Sequence, residues 1–303
     1  DLHSFPTRRS SDLLSMHNEE MLGVSSMDEK NIIPLDSLDV VCSDMNDPID
    51  NISDAERKKI TEVVAEELSS VKIPKDHIKM RAPIIRPEQD IICLGIKYMA
   101  HAVEAGRYKQ EAFGGERQYP IYFSKRVNEA VGDGEPVLAH ADIVDSLDYE
   151  VELAVVIGAP AYKVSRKDAL DCVFGYTILN DISARNIQTR HRQWYFGKSL
   201  DGFTPMGPCI VTTDEIPDPG NLAIKSSING ELSQDGNTKQ MIFDVRYIIS
   251  ELSQGMTLLP GTIIATGTPA GVGMGLDPPR FLTSGDIMKI EVEKIGEMTN
   301  YIL

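Results

Sequence analysis

The stretch DYEVELAVVIG, residues 148–158, constrains this chain more than any other. Leu153 to Ile157 is an unbroken apolar run closed by Gly158, a pattern that reads as a buried strand. Glu150 and Glu152 stand at its mouth. Residues two apart in a strand point to the same face, about 6.6–7 Å apart along the chain. Two carboxylates pointing together into a core repel, and stripping them of water is costly. Either a cation lies between them or one turns to solvent at a sheet edge. If it is a cation, Mg²⁺ suits best, since it prefers carboxylates and waters and no thiolate or histidine pair competes here. Asp181, closing the next apolar strand in LNDISARN, offers a third carboxylate.

Around that stretch the chain reads as mixed α/β and β-dominated. Residues 53–71 form an amphipathic pattern with Ile60, Val63, Val64 and Leu68 on one stripe and Ser53 or Asp54 as the cap. Pro74, Pro83 and Pro87 then punctuate the chain. Strands are expected at 91–98, 121–124, 151–157, 175–181 and 287–293, with short helices over 165–175 and 239–254. Asn229-Gly230 marks a hairpin. There is no alternation of strand and helix of the kind that builds a parallel sheet. The expected organisation is a tail over 1–30, a small N-terminal domain over 31–88 and a main domain over 89–303. The tail includes FPTRRSSDL, residues 5–13, which resembles translated adapter sequence, and it is expected to be foreign to the fold or disordered.

Charge narrows the partners. With 30 basic and 46 acidic residues the chain carries a net charge of −16, which argues against nucleic acid. No apolar run approaches the roughly 18 residues that span a membrane. Cys42, Cys93, Cys172 and Cys209 are widely spaced, as expected of reduced thiols in a cytoplasmic protein.

Other residues could join the three carboxylates. If 98–106 is helical, His101 and Glu104 share a face, and a carboxylate beside an imidazole makes a water-activating base; such pairs are also common as mere surface contacts. Lys198 lies in a loop rich in Gly and Pro, where a lysine normally faces solvent. Arg185 and Gln188 follow Asp181 closely enough to reach the same cavity. The loop TGTPAGVG, 266–273, lacks the Lys-Ser/Thr of a phosphate-binding loop.

The order of these motifs is more telling than any one of them. KYMAHAVE, then EVE heading an apolar strand, DISARNIQ, GKSLDGFTPMGP and TGTPAGVG follow one another between about Ile91 and Ile302. This series resembles the fumarylacetoacetate hydrolase family. The resemblance implies a β-roll catalytic domain with a small N-terminal domain, assembled as a homodimer. It implies that Glu150, Glu152 and Asp181 hold Mg²⁺ or Mn²⁺, and that His101 and Glu104 form the catalytic dyad. It further implies that Lys198 lies near the metal, that Thr268 contacts a substrate carboxylate, and that Arg185 and Gln188 help to bind substrate. The implied substrate is a small anionic keto acid. The first expectation is metal-dependent hydrolysis of a C–C bond in an acylpyruvate-like 1,3-diketo acid. The alternatives are decarboxylation of an oxaloacetate-type acid, isomerisation of a 2-hydroxydienoate, or a non-catalytic dimer scaffold. Lys97 and Asn186 depart from the residues most frequent at their places in the family motifs.

Overall fold

The computed structural model describes residues 10–16, 19–95, 119–191 and 193–303. Its largest sheet runs, edge to edge, through Ile73–Pro74, Asn31–Pro34, Glu19–Ser25, Ser10–Met16, Met206–Thr212, Val173–Asn180, Val151–Ile157, Ile263–Ala265, Ile91–Gly95 and Ile121–Lys125. A second sheet is formed by Glu231–Asn237, Ala223–Ile228, Ile287–Val292, Gly296–Ile302 and Pro136–Val137. Among the described residues helices are few and short, and the fold is mixed α/β with β-structure dominant.

The strand Val151–Ile157 is central, paired antiparallel with Val173–Asn180 on one side and Ile263–Ala265 on the other. All seven of its residues are buried. Its alternation explains the continuous apolar run. Val151, Leu153, Val155 and Ile157 enter a core shared with Ile224, Ile290 and Val292 of the second sheet. Ala154 and Val156 enter another core on the opposite face, where Leu22, Ile33, Ile49, Ile60 and Val64 of the N-terminal segment pack. A strand covered on both faces needs apolar residues at every position. By the same alternation Glu152 belongs to the face that the N-terminal segment covers.

That packing draws on residues within the expected tail over 1–30. Glu19–Ser25 is a strand of the large sheet, with Leu22 and Val24 buried. Their period-2 spacing is short and flanked by charge, so it is a weak signal until a neighbouring strand supplies the rest of the core. The helix expected over 53–71 covers Asp54–Ala65, opened by a reciprocal cap between Ser53 and Glu56. Beyond its end Glu67 adopts a left-handed φ of 52°, and Leu68 is left exposed. The pattern over 239–254 forms an α-helix only at Val245–Leu252, where the Asp244 side chain accepts from the Tyr247 N–H. Over 165–175 only a single 3₁₀ turn, Ala169–Cys172, appears. The expected hairpin forms, with Asn229 and Gly230 both at positive φ, 52° and 82°. No described helix is long and apolar enough to cross a membrane.

Candidate functional site

Glu150, Glu152 and Asp181 converge, their donor oxygens lying within 4.8 Å of one another and all three residues buried. The sheet register brings them together. Val151 stands opposite Asn180 on the antiparallel neighbour, so Asp181 emerges beside Glu150. The Asp181 N–H donates to the Glu150 carbonyl at 2.9 Å, and the Asn180 side-chain oxygen accepts from the Glu150 N–H at 2.9 Å.

Among the described residues three cations surround this trio. The Lys198 ammonium bridges Asp181 at 2.5 Å and Glu150 at 2.9 Å. Lys125 takes the other Asp181 oxygen at 2.7 Å and donates to the Ile182 carbonyl at 3.2 Å. Arg185 reaches Glu150 at 2.6 Å and Asp148 at 2.9 Å, and its Nη1 also donates to Gln188 at 3.1 Å. The Lys198 ammonium additionally sits 5.3 Å from the centre of the Phe123 ring, whose edge meets Trp194 at 5.1 Å.

The two lysines respond in opposite directions. Burial lowers the Lys125 ammonium below its ordinary value, and one carboxylate, opposed by the neighbouring Lys198, does not restore it. Lys198 suffers the same burial, yet Asp181 and Glu150 together hold it above its ordinary value. Burial, then Asp181 and Glu150, push the Glu152 carboxyl well above the usual carboxylate range. Against it stands the Gly267 N–H, donating at 2.8 Å. Counting Asp148, four carboxylates face three cations, and Glu152 is the carboxylate with no ion pair among those described.

The glycine-rich loop closes one side. Asp148 accepts from the N–H groups of Gly273 at 2.7 Å and Met274 at 3.0 Å, tying the loop to the start of the carboxylate strand. A side chain at position 273 would collide with the Arg280 carbonyl, so this close approach requires glycine. The Thr268 hydroxyl donates to the Val151 carbonyl at 2.8 Å.

Sequence reading therefore located the trio and the Lys198, Arg185 and Gln188 that gather round it. Lys198 does not face solvent, as a lysine in such a loop normally does; it is only 1% exposed. His101 and Glu104 lie outside the described residues. Lys125 and Asp148 escaped notice. Asp148 carried a signal, because it stands two residues before Glu150, as Glu150 does before Glu152. Lys125 carried a fainter one, a lysine ending the apolar strand Ile121–Lys125.

These residues fit a divalent cation. The donors are hard carboxylate oxygens on strand ends, and burial beside Asp181 and Glu150 pushes the Glu152 carboxyl, which has no ion pair among those described, well above the usual carboxylate range. A cation there offsets the repulsion among the three carboxylates.

The sequence model of the family described as Fumarylacetoacetate (FAA) hydrolase C-terminal matches residues 90–303. An oxaloacetate tautomerase, YisK of Bacillus subtilis (strain 168), is 46% identical over 237 residues, 78% of this chain and 77% of that protein. A fumarylacetoacetate hydrolase from psychrophilic Exiguobacterium antarcticum superposes with a TM-score of 0.84 at 35% identity, covering 97% of this chain and 99% of that one. A 2-hydroxyhepta-2,4-diene-1,7-dioate isomerase from Mycobacterium marinum superposes at 0.71 with 29% identity, covering 98% of each chain.

Proposed function

The chain belongs to the fumarylacetoacetate hydrolase family, and on that premise we propose that it is a divalent-metal-dependent enzyme interconverting the keto and enol forms of an oxaloacetate-type 2-oxo acid. The observation that carries this reading is the buried trio Glu150, Glu152 and Asp181 with the Lys198 ammonium against two of its members. A sequence 46% identical to an oxaloacetate tautomerase supports the choice of substrate.

Glu150, Glu152 and Asp181 would hold Mg²⁺ or Mn²⁺, which supplies a Lewis acid toward the oxygens of a 2-oxo acid. A dication turns the excess negative charge of the cluster into an excess of positive charge, which suits an anionic acid. Lys198, kept charged by its carboxylates, lies ready to stabilise negative charge as it develops on an enolate oxygen. Lys125 holds Asp181 from the far side, and Arg185 holds Glu150 from Asp148, so both ligands are oriented in advance. The proton at the carbon beside the oxo group goes to a base. His101, paired with Glu104 three residues on, is our assignment for it.

The same His101 and Glu104 favour a second reading, in which they activate water to hydrolyse an acylpyruvate. The test is to strip the full chain with chelator, restore Mg²⁺ or Mn²⁺, and follow oxaloacetate enol absorbance alongside pyruvate release from a panel of acylpyruvates. Metal-dependent enol turnover with the acylpyruvates left intact is the expected result. Fast pyruvate release from an acylpyruvate would transfer the assignment to hydrolysis, and undiminished activity after exhaustive chelation would overturn both readings. His101→Ala should lower kcat by about 10²–10⁴-fold while leaving metal binding intact.

A further inference from the structure

A fully buried glutamine from the second sheet reaches the backbone between the two glutamates. Gln234, 0% exposed, lies on the strand Glu231–Asn237. Its Oε1 accepts from the Val151 N–H at 3.2 Å and from the Ser226 hydroxyl at 3.0 Å. Its Nε2 donates to the Thr268 hydroxyl at 2.7 Å and to the Pro269 carbonyl at 2.8 Å. The partners fix which way the amide points, since a backbone N–H demands the oxygen and a proline carbonyl demands the nitrogen. Every hydrogen-bonding position of the group is engaged.

A fault in the hairpin register aims it there. Gln234 stands opposite Ser226 but Leu232 stands opposite Ser227, so Ser233 is an extra residue, a β-bulge. The bulge also presses on the glycine-rich loop. A side chain at position 271 would collide with the Ser233 carbonyl, and one at 236 would come within 2.7 Å of Pro269. Because Thr268 accepts from Gln234, its own hydroxyl hydrogen is directed to the Val151 carbonyl. Gln234 thus holds the N–H of Val151 directly and its carbonyl through Thr268. Val151 is the one residue between Glu150 and Glu152, so this clamp sets the peptide planes from which both carboxylates project.

We infer that Gln234 is a positioning residue for the carboxylate centre, acting on the spacing of Glu150 and Glu152 through Val151 and on the glycine-rich loop through Thr268 and Pro269. This rests on the reading that the trio holds a divalent cation. Loss of a hydrogen-bonding partner behind a metal ligand typically weakens metal affinity by about 10–100-fold.

The experiment is calorimetric titration of the chelator-stripped full chain with Mn²⁺ alone. Gln234→Leu, close in size but without hydrogen bonds, should weaken Mn²⁺ binding by about 10–100-fold. Ile224→Val trims the core on the partner strand of the same hairpin; it should lower Tm yet leave Mn²⁺ affinity unchanged. Wild-type affinity in Gln234→Leu would overturn the inference, as would equal weakening in Ile224→Val, which would mark the effect as general loosening. If Gln234→Leu does not fold, Gln234→Glu carries the test. It keeps an acceptor for Val151 but sets an oxygen against the Pro269 carbonyl, so weakened binding supports the clamp and unchanged binding overturns it. A wild-type chain that takes up no Mn²⁺ would overturn the metal reading itself, a result distinct from tight wild-type binding that Gln234→Leu leaves intact.

Discussion

The carboxylate centre and the N-terminal segment handle charge in opposite ways. In the N-terminal segment the interior is apolar, with Ile49, Ile60 and Val64 buried, and ion pairs such as Lys59–Asp39 at 3.0 Å lie outside, their side chains 45% and 94% exposed. At the centre the arrangement is inverted. Lys125, Lys198 and Asp181 are the buried groups, and their ion pairs have almost no contact with water. The first arrangement is the ordinary way to make a fold stable. The second gives up stability, because two well-packed apolar side chains usually serve as well as a buried ion pair or better. A chain retains such a centre for its chemistry.

That contrast can be broken by experiment. The largest effect is expected from Asp181→Ala, which strands the buried Lys125 ammonium and leaves Lys198 with Glu150 alone. Metal-dependent activity should disappear, and stability should fall by about 3–5 kcal/mol in denaturant unfolding. A variant as stable as wild type would mean that water reaches the cluster freely. Next, Ile49→Ala should cost about 2–5 kcal/mol by leaving a cavity, but Mn²⁺ affinity at the centre should not change.

A third, smaller effect is a pH dependence of the metal-free chain. Native Glu152 ionises well above the ordinary carboxylate value of 4.5, so the folded state keeps a proton that the unfolded chain has already released. The stability this lends is complete below about pH 4.5 and is lost as pH rises toward the native value. Saturating Mn²⁺ should abolish that decline, because it binds the ionised form. Thermal unfolding across pH, with and without Mn²⁺, checks the sign. The smallest effect is expected at the surface, where Lys59→Ala should change stability by no more than about 1 kcal/mol.

Much of the centre was legible because its signals are local. Period 2 set Glu150 and Glu152 on one face, and the end of the next apolar strand supplied Asp181. Spacing also put Arg185 and Gln188 within reach. What it could not reveal was pairing across long stretches of chain. Lys125 meets Asp181 from 56 residues away, and Gln234 meets Val151 from 83. In each case the partner is fixed by sheet topology, to which a local pattern is blind. The fold was legible in the same measure. The strands and the Asn229-Gly230 hairpin followed from local chemistry, while Glu19–Ser25 acquires its meaning only from the strands on either side of it.

One side chain makes the centre visible. Trp194 is the chain's sole tryptophan. It lies in edge contact with the Phe123 ring that faces the Lys198 ammonium, and its indole fills the space beside Gly95, where a β-carbon would collide with it. Excited where tyrosine scarcely absorbs, the whole protein therefore emits from one indole, separated from the Lys198 of the cluster by a single ring. A cation entering among the carboxylates changes the electric field at that indole, so titration with Mg²⁺ should shift the emission without any label. In a Phe123→Leu variant, with the intervening ring gone, the shift should change in size.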